Sequence, residues 1–82
     1  MKYYVYALTS LKDRKFYYGY TEDLNKRIIE HNSGLTKSLV NRLPVELRYY
    51  EICESKKAAK EREKFFKSGV GRAFVKAQIE NI

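Results

Sequence analysis

The chain opens on alternation. In KYYVYALTS (2–10) aromatic and β-branched residues predominate. A period of two puts Tyr4, Tyr6 and Leu8 on one face and Tyr3, Val5 and Ala7 on the other, which predicts a strand. The short polar run LKDRK suits a hairpin turn, and KFYYGY (15–20) predicts a second strand, with Tyr17 and Gly19 on one face and Phe16, Tyr18 and Tyr20 on the other. The period then changes. Leu24 and Ile28 lie one helical turn apart with Ile29 beside them, which predicts a helix over 22–33. Thr21 is its expected cap, Glu22 and Asp23 put negative charge in its first turn, and Gly34 is its expected stop. Arg27 and His31 are spaced i, i+4 on another face of this helix, where side chains of their type suit a solvated surface.

Beyond Gly34 the periodicity lapses. LTKSLVNRLP (35–44) reads as an extended basic loop, with Pro44 pushing Leu43 out of helical geometry. VELRYYEIC (45–53) predicts a third strand. Ser55 is the expected cap of a helix over KKAAKEREKFFK (56–67), whose apolar face is Ala58, Ala59, Phe65 and Phe66; Gly69 is expected to end it. Arg62 falls near the middle of that face, which points to a paired or snorkelling arginine. A last helix is expected over 72–82, burying Phe74, Val75 and Ile79. Strand, strand, helix, strand, helix, helix is an α+β order. It predicts a small three-stranded antiparallel sheet flanked by helices.

Composition sets bounds on this picture. Eighty-two residues support a single domain, 1–82, with one modest core, and 44% hydrophobic and 15% aromatic residues suffice to build it. No apolar run approaches the ~18 residues of a membrane span, and MKYYVYALTSLKDRK lacks the long apolar segment of a signal peptide. The single cysteine, Cys53, excludes an internal disulfide. It lies in an apolar strand run that suits a small buried side chain better than a nucleophile. These features lead us to expect a reducing, cytoplasmic setting and no membrane partner.

Charge points to a partner. Seventeen Lys and Arg against ten Asp and Glu leave a net charge of +7, and phosphate is the natural complement to a positive field on so small a domain. The chemistry-bearing residues then narrow the options. One His and one Cys cannot build a structural zinc site. KSGVGR (67–72) lacks P-loop spacing, although it sets Arg72 at the expected start of a helix, where a phosphate could bind. Lys37, Ser38 and Arg42 in the basic loop are further candidate substrate contacts. Tyr6 and Tyr17 share one sheet face if the hairpin register has the right parity, and Gly19 leaves room on that face for a substrate or a packed helix. Phosphoryl transfer calls for a cation, a base and a carboxylate-held metal. Arg27 and His31 offer the first two. Glu61 and Glu63 both lie at the edge of the apolar face of the helix 56–67, and the helical wheel does not choose between them.

Taken in order, YVY (4–6), YYG (17–19), T-x-D-L-x-x-R-x-x-x-H-N-x-G (21–34), RLPVELRYYE (42–51) and REKFFKSGVGR (62–72) resemble the GIY-YIG nuclease superfamily. The similarity is to its small stand-alone bacterial members, which are related to the nuclease domain of the nucleotide-excision repair protein. It covers nearly the whole chain. Tyr4 and Tyr18 depart from the motif letters, and Tyr20 stands where repair-type members have lysine. The resemblance implies a GIY-YIG endonuclease fold and metal-dependent hydrolysis of a DNA phosphodiester. It implies catalytic roles for Tyr6, Tyr17, Arg27 and His31, with Glu63, rather than Glu61, holding a single Mg²⁺ or Mn²⁺. Tyr17, helped by Tyr6 or His31, would activate water. A free tyrosine pKa of about 10 is high for a base, whereas histidine titrates nearer neutrality, so the base stays open among the three. No DNA-binding module is recognisable in the chain, and a protein partner is a natural source of target choice. The alternative is a basic nucleic-acid-binding module of the same fold that does not cleave.

Overall fold

The computed structural model describes residues 2–81. Position 82, the expected end of the last helix, lies outside them. Strands β1 (Tyr3–Ser10), β2 (Phe16–Thr21) and β3 (Val45–Cys53) form an antiparallel sheet in the order β2-β1-β3. The helices are α1 (Leu24–Asn32), α2 (Lys56–Lys67) and α3 (Gly69–Glu80), with a 3₁₀ helix over Lys37–Arg42 between α1 and β3. The expected sheet and element order are therefore present.

The central strand β1 is covered on both faces. Val5 and Ala7 pack with Tyr18 against Ala59 and Phe66 of α2 and Val75 of α3. Tyr6 and Leu8 pack on the other side with Leu39 and Val45, bordered by Tyr17, Leu24 and Ile28. The period of two in the sequence thus separates two small cores. Phe74 and Ile79 are partly buried beside the first, as is Cys53, a free thiol.

Four local expectations are corrected. Thr21 does not cap α1. It is the last residue of β2, paired with Tyr4, and its hydroxyl accepts from the Asp23 N–H at 3.2 Å. Asp23 is the cap, its carboxylate accepting from the Lys26 N–H at 3.1 Å. On α1 itself, Ile29 is 66% exposed, and His31 takes the inward face with Leu24 and Ile28. The segment 35–44 is not extended throughout, because fully buried Leu39 draws the 3₁₀ helix onto the sheet. Helix α3 starts at Gly69 rather than Arg72. Ser68 both ends α2 and caps α3, its hydroxyl accepting from the Gly71 N–H at 3.0 Å. Gly71 permits this tight junction, since a methyl group there would overlap the Phe65 carbonyl oxygen.

Arg62 is both paired and stacked, as its position on α2 suggests. Its guanidinium donates to Glu51 at 2.7 and 3.1 Å and lies 4.6 Å from the Phe65 ring centroid and 5.0 Å from that of Phe74. The planar charged group is thereby satisfied at the edge of an aromatic core.

Candidate functional site

The hairpin register has the required parity. Tyr6 faces Gly19 and Leu8 faces Tyr17, so Tyr6, Tyr17 and Gly19 share one sheet face. Helix α1 covers this face of the sheet and α2 the opposite one. Between them lies an open cleft of about 450 Å³ lined by Tyr6, Tyr17, Gly19, Arg27 and Glu63. Four of the five proposed catalytic and metal-holding residues thus meet at one concave surface.

The fifth, His31, lies behind it. Its ring is fully buried rather than solvated. Nε2 is 2.8 Å from the Tyr6 hydroxyl, and Nδ1 bonds the Thr36 hydroxyl. The Tyr17 ring meets the imidazole edge-on, with centroids 5.4 Å apart. Burial, and then the nearby positive charge of Arg27, push the imidazole below its ordinary pKa. A neutral ring between two hydroxyls needs one donor and one acceptor nitrogen. Tyr6 is shifted the other way. Burial lifts its phenol to about 12, against the opposing pull of Arg27. At neutral pH its oxygen carries a proton, so Tyr6 acts as a hydrogen-bonding group and is disfavoured as a base. The Arg27 guanidinium beside Tyr6 has its own pKa raised chiefly by that hydroxyl, and it is also bonded to Glu30 at 3.3 Å.

Glu63 is oriented by Lys67 one turn later on α2, at 3.0 Å. Lys56, two turns earlier on the same side, also lines the cleft, as do Glu22, Tyr3 and Tyr20. Among the described residues no three His, Cys, Asp or Glu side chains cluster as a metal cage. A single well-placed carboxylate is nonetheless a fitting donor for a hard cation such as Mg²⁺, which keeps several waters and takes its remaining ligands from a phosphate. It does not suit zinc.

The other expected substrate contacts lie elsewhere. Lys37 and Ser38 are on the 3₁₀ helix and do not line the cleft. Arg42 is occupied structurally. It donates to Asp13 at 2.7 Å and to the carbonyls of Lys15 and Phe16 at 3.1 and 3.3 Å, which clamps the β1–β2 hairpin. Arg72 lines a separate groove on the α3 side of the sheet. Sequence reasoning missed Thr36 and Lys56. The seven-residue spacing of Lys56 and Glu63, two turns on one helix face, was the available signal for the second. Nothing in the sequence marked Thr36, which meets His31 through the fold of the loop.

The model of the GIY-YIG catalytic domain matches residues 2–75. The chain belongs to the GIY-YIG family. It is 48% identical over 67 residues to UPF0213 proteins of Streptococcus pyogenes serotypes M3 and M12, covering 80% of this chain and 72% of theirs. The solution NMR structure of the UPF0213 protein BH0048 from Bacillus halodurans superposes with a TM-score of 0.57 at 33% identity, covering 95% of this chain and 85% of that one. In GIY-YIG terms, β1 carries the first motif and β2 the second. Their pairing brings Tyr6 over the closing glycine of the second motif, Gly19. No helix among the described residues is long and apolar enough to cross a membrane.

Proposed function

We propose that this GIY-YIG protein is a nucleic-acid-binding module that presents its cleft to a phosphodiester, with DNA as the partner. The observation that carries this reading is the cleft itself, which sets the Arg27 and Lys56 cations beside tyrosine hydroxyls on a domain of net charge +7. Cationic side chains neutralise phosphate, and hydroxyls bond its oxygens.

A second reading, hydrolysis of that phosphodiester, is favoured by one specific observation. Tyr6, Tyr17, Arg27 and Glu63, from four separate elements, line the same cleft, and a pure binder gains nothing from a carboxylate next to a phosphate. In this reading Glu63 would hold one Mg²⁺ or Mn²⁺, which when bound supplies charge neutralisation at the phosphate. Arg27 bonds the equatorial oxygens as charge develops on them. Tyr17, whose hydroxyl is not committed to His31 as that of Tyr6 is, orients the attacking water and, in its phenolate form, accepts its proton. Tyr6 donates from its protonated hydroxyl. His31 acts through Tyr6 as a positioning residue, because it is buried out of reach of the substrate.

The test uses branched, flapped, nicked and single-stranded DNA with Mg²⁺ or Mn²⁺, alongside Arg27→Ala and Glu63→Ala. Cutting by the wild type that both variants lose supports hydrolysis. Binding without cutting leaves the module reading alone. Absence of binding to every substrate refutes both.

A further inference from the structure

A second basic surface lies outside the cleft. Between the start of β2 and the first turns of α3 runs a groove of about 500 Å³, walled by Arg14, Lys15, Arg72 and Lys76 and floored by Phe16 and Tyr18. No acidic side chain lines it. Among the described residues, none of the four cations is in an ion pair. The one acid of the hairpin, Asp13, is held by Arg42, which leaves Arg14 and Lys15 unopposed. Phe16 and Tyr18 stack with an interplanar angle of 9° and centroids 5.9 Å apart, and the Phe16 ring is only half-buried. The basic tract ends where a neighbouring hollow, which shares Arg14, Phe16 and Lys76, reaches Glu80.

The groove and the cleft lie along the same strand. Phe16 and Tyr18 floor one and Tyr20, on the same face of β2, lines the other, with β2 at the edge of the sheet. The four residue steps of strand from Phe16 to Tyr20 span about 13 Å, the axial rise of about four nucleotides of one strand. A chain of phosphates seated in the cleft would therefore meet the four cations within a few nucleotides. Charge alone would serve a duplex equally. The combination of a cationic wall with an aromatic floor is what single-strand sites use, because an unpaired base can turn its face to the ring.

We propose that this groove is a second nucleic-acid site, which takes the single-stranded flank of whatever strand occupies the cleft. Arg14, Lys15, Arg72 and Lys76 hold its phosphates, and Phe16 offers a stacking surface. The inference rests on the reading of the protein as a nucleic-acid binder, and its test separates the two.

Binding of a fluorescently labelled 20-nucleotide single strand, and of a duplex of the same length, is measured by anisotropy across a salt series. The groove variant is Arg72→Ala/Lys76→Ala. The control is Lys57→Ala/Lys60→Ala, which removes the same two charges from α2. All four positions are exposed on helices, where alanine is well tolerated. The groove variant should bind the single strand roughly tenfold more weakly at low salt, with a salt slope shallower by about 1.4, as expected when two phosphates are no longer neutralised. The control should lose less than about threefold, and the duplex should respond alike to both variants. A groove variant no weaker than the control on single strands overturns the proposal while leaving the cleft reading intact. So does an equal groove-specific loss on the duplex. A wild type that binds neither probe overturns both.

Discussion

The Tyr6 hydroxyl occupies the space that a side chain at position 19 would need. A methyl group on Gly19 would lie 2.5 Å from the Tyr6 hydroxyl oxygen and 2.7 Å from the ring carbon bearing it. The two residues are register partners on adjacent strands, so backbone hydrogen bonding fixes the contact. The glycine that closes the second motif thus makes room for the tyrosine of the first, which in turn reaches His31.

Gly19→Ala should therefore destabilise the fold by about 1–3 kcal/mol, the usual range for overpacking a tight site. Tyr6 is 1% exposed and has no free direction to move. Tyr6→Phe removes the atom nearest the new methyl. The double variant should consequently be more stable than the sum of the single losses allows, a coupling that urea unfolding of all four proteins reads directly. Strict additivity would show that the contact is not a constraint.

His31 provides a pH signature. Its folded pKa lies below the ordinary value of 6.5. The unfolded chain therefore takes up the proton first, and stability falls as pH drops below about 6.5 until the folded imidazole is also protonated. The thermal midpoint of the wild type should decline as pH falls from neutrality through that window. His31→Gln, which keeps hydrogen-bonding capacity without a titrating group, should be less stable at neutral pH and flatter over the same interval. An equally steep decline in the variant would place the titrating group elsewhere.

The strands were legible because alternation in KYYVYALTS and KFYYGY reports directly which side chains share a face, and the covered faces of β1 follow it residue by residue. Arg62 was legible because a long cation in the middle of an apolar stripe has few acceptable environments. His31 was harder to read. Its spacing from Arg27 drew attention to the polar face, whereas Leu24, Ile28 and His31 at i, i+4 and i+7 trace the buried one. Ile29 was the decoy, since one apolar residue beside a stripe need not join it. The 3₁₀ helix left no periodic trace. It forms because Leu39 is captured by Tyr6, Leu8 and Val45, residues distant in sequence. Thr21 and Asp23 are both competent caps, and only the strand pairing of Thr21 with Tyr4 decides between them. The cleft was legible as a set of residues but not as a volume, because the contributions of α1 and α2 depend on how each helix crosses the sheet.

Arg42 should prove structural. Asp13 is held at about 2, first by its bond to Arg42 and then by the Lys15 N–H. A depressed folded carboxyl pKa contributes stability above the unfolded value of 3.8, and that contribution is lost as pH falls through about 2. Arg42→Gln should therefore lower the thermal midpoint near neutral pH, and the gap from wild type should narrow as pH approaches about 2, leaving the part owed to the Lys15 and Phe16 carbonyls. Nucleic-acid affinity should change by no more than the loss of one distant charge produces. A selective loss of binding in a variant of unchanged stability would return Arg42 to the substrate contacts.

The Glu63–Lys67 pair sets the scale of any competition for the carboxylate. It is an i, i+4 pair with Lys67 more than half exposed, and such pairs contribute only about 0.3–0.5 kcal/mol. That is roughly a twofold effect in an equilibrium constant, far below what a divalent cation gains from a carboxylate together with a phosphate. Lys67 should therefore act as a placeholder that turns the carboxylate toward the cleft and yields it readily. Under the hydrolytic reading, in a nuclease assay titrated with Mn²⁺, Lys67→Ala should shift the midpoint by no more than about twofold and leave the maximal rate nearly unchanged, whereas Glu63→Gln should abolish the response at every concentration. A tenfold or larger shift in Lys67→Ala would mean that the lysine takes part in substrate binding rather than merely orienting Glu63.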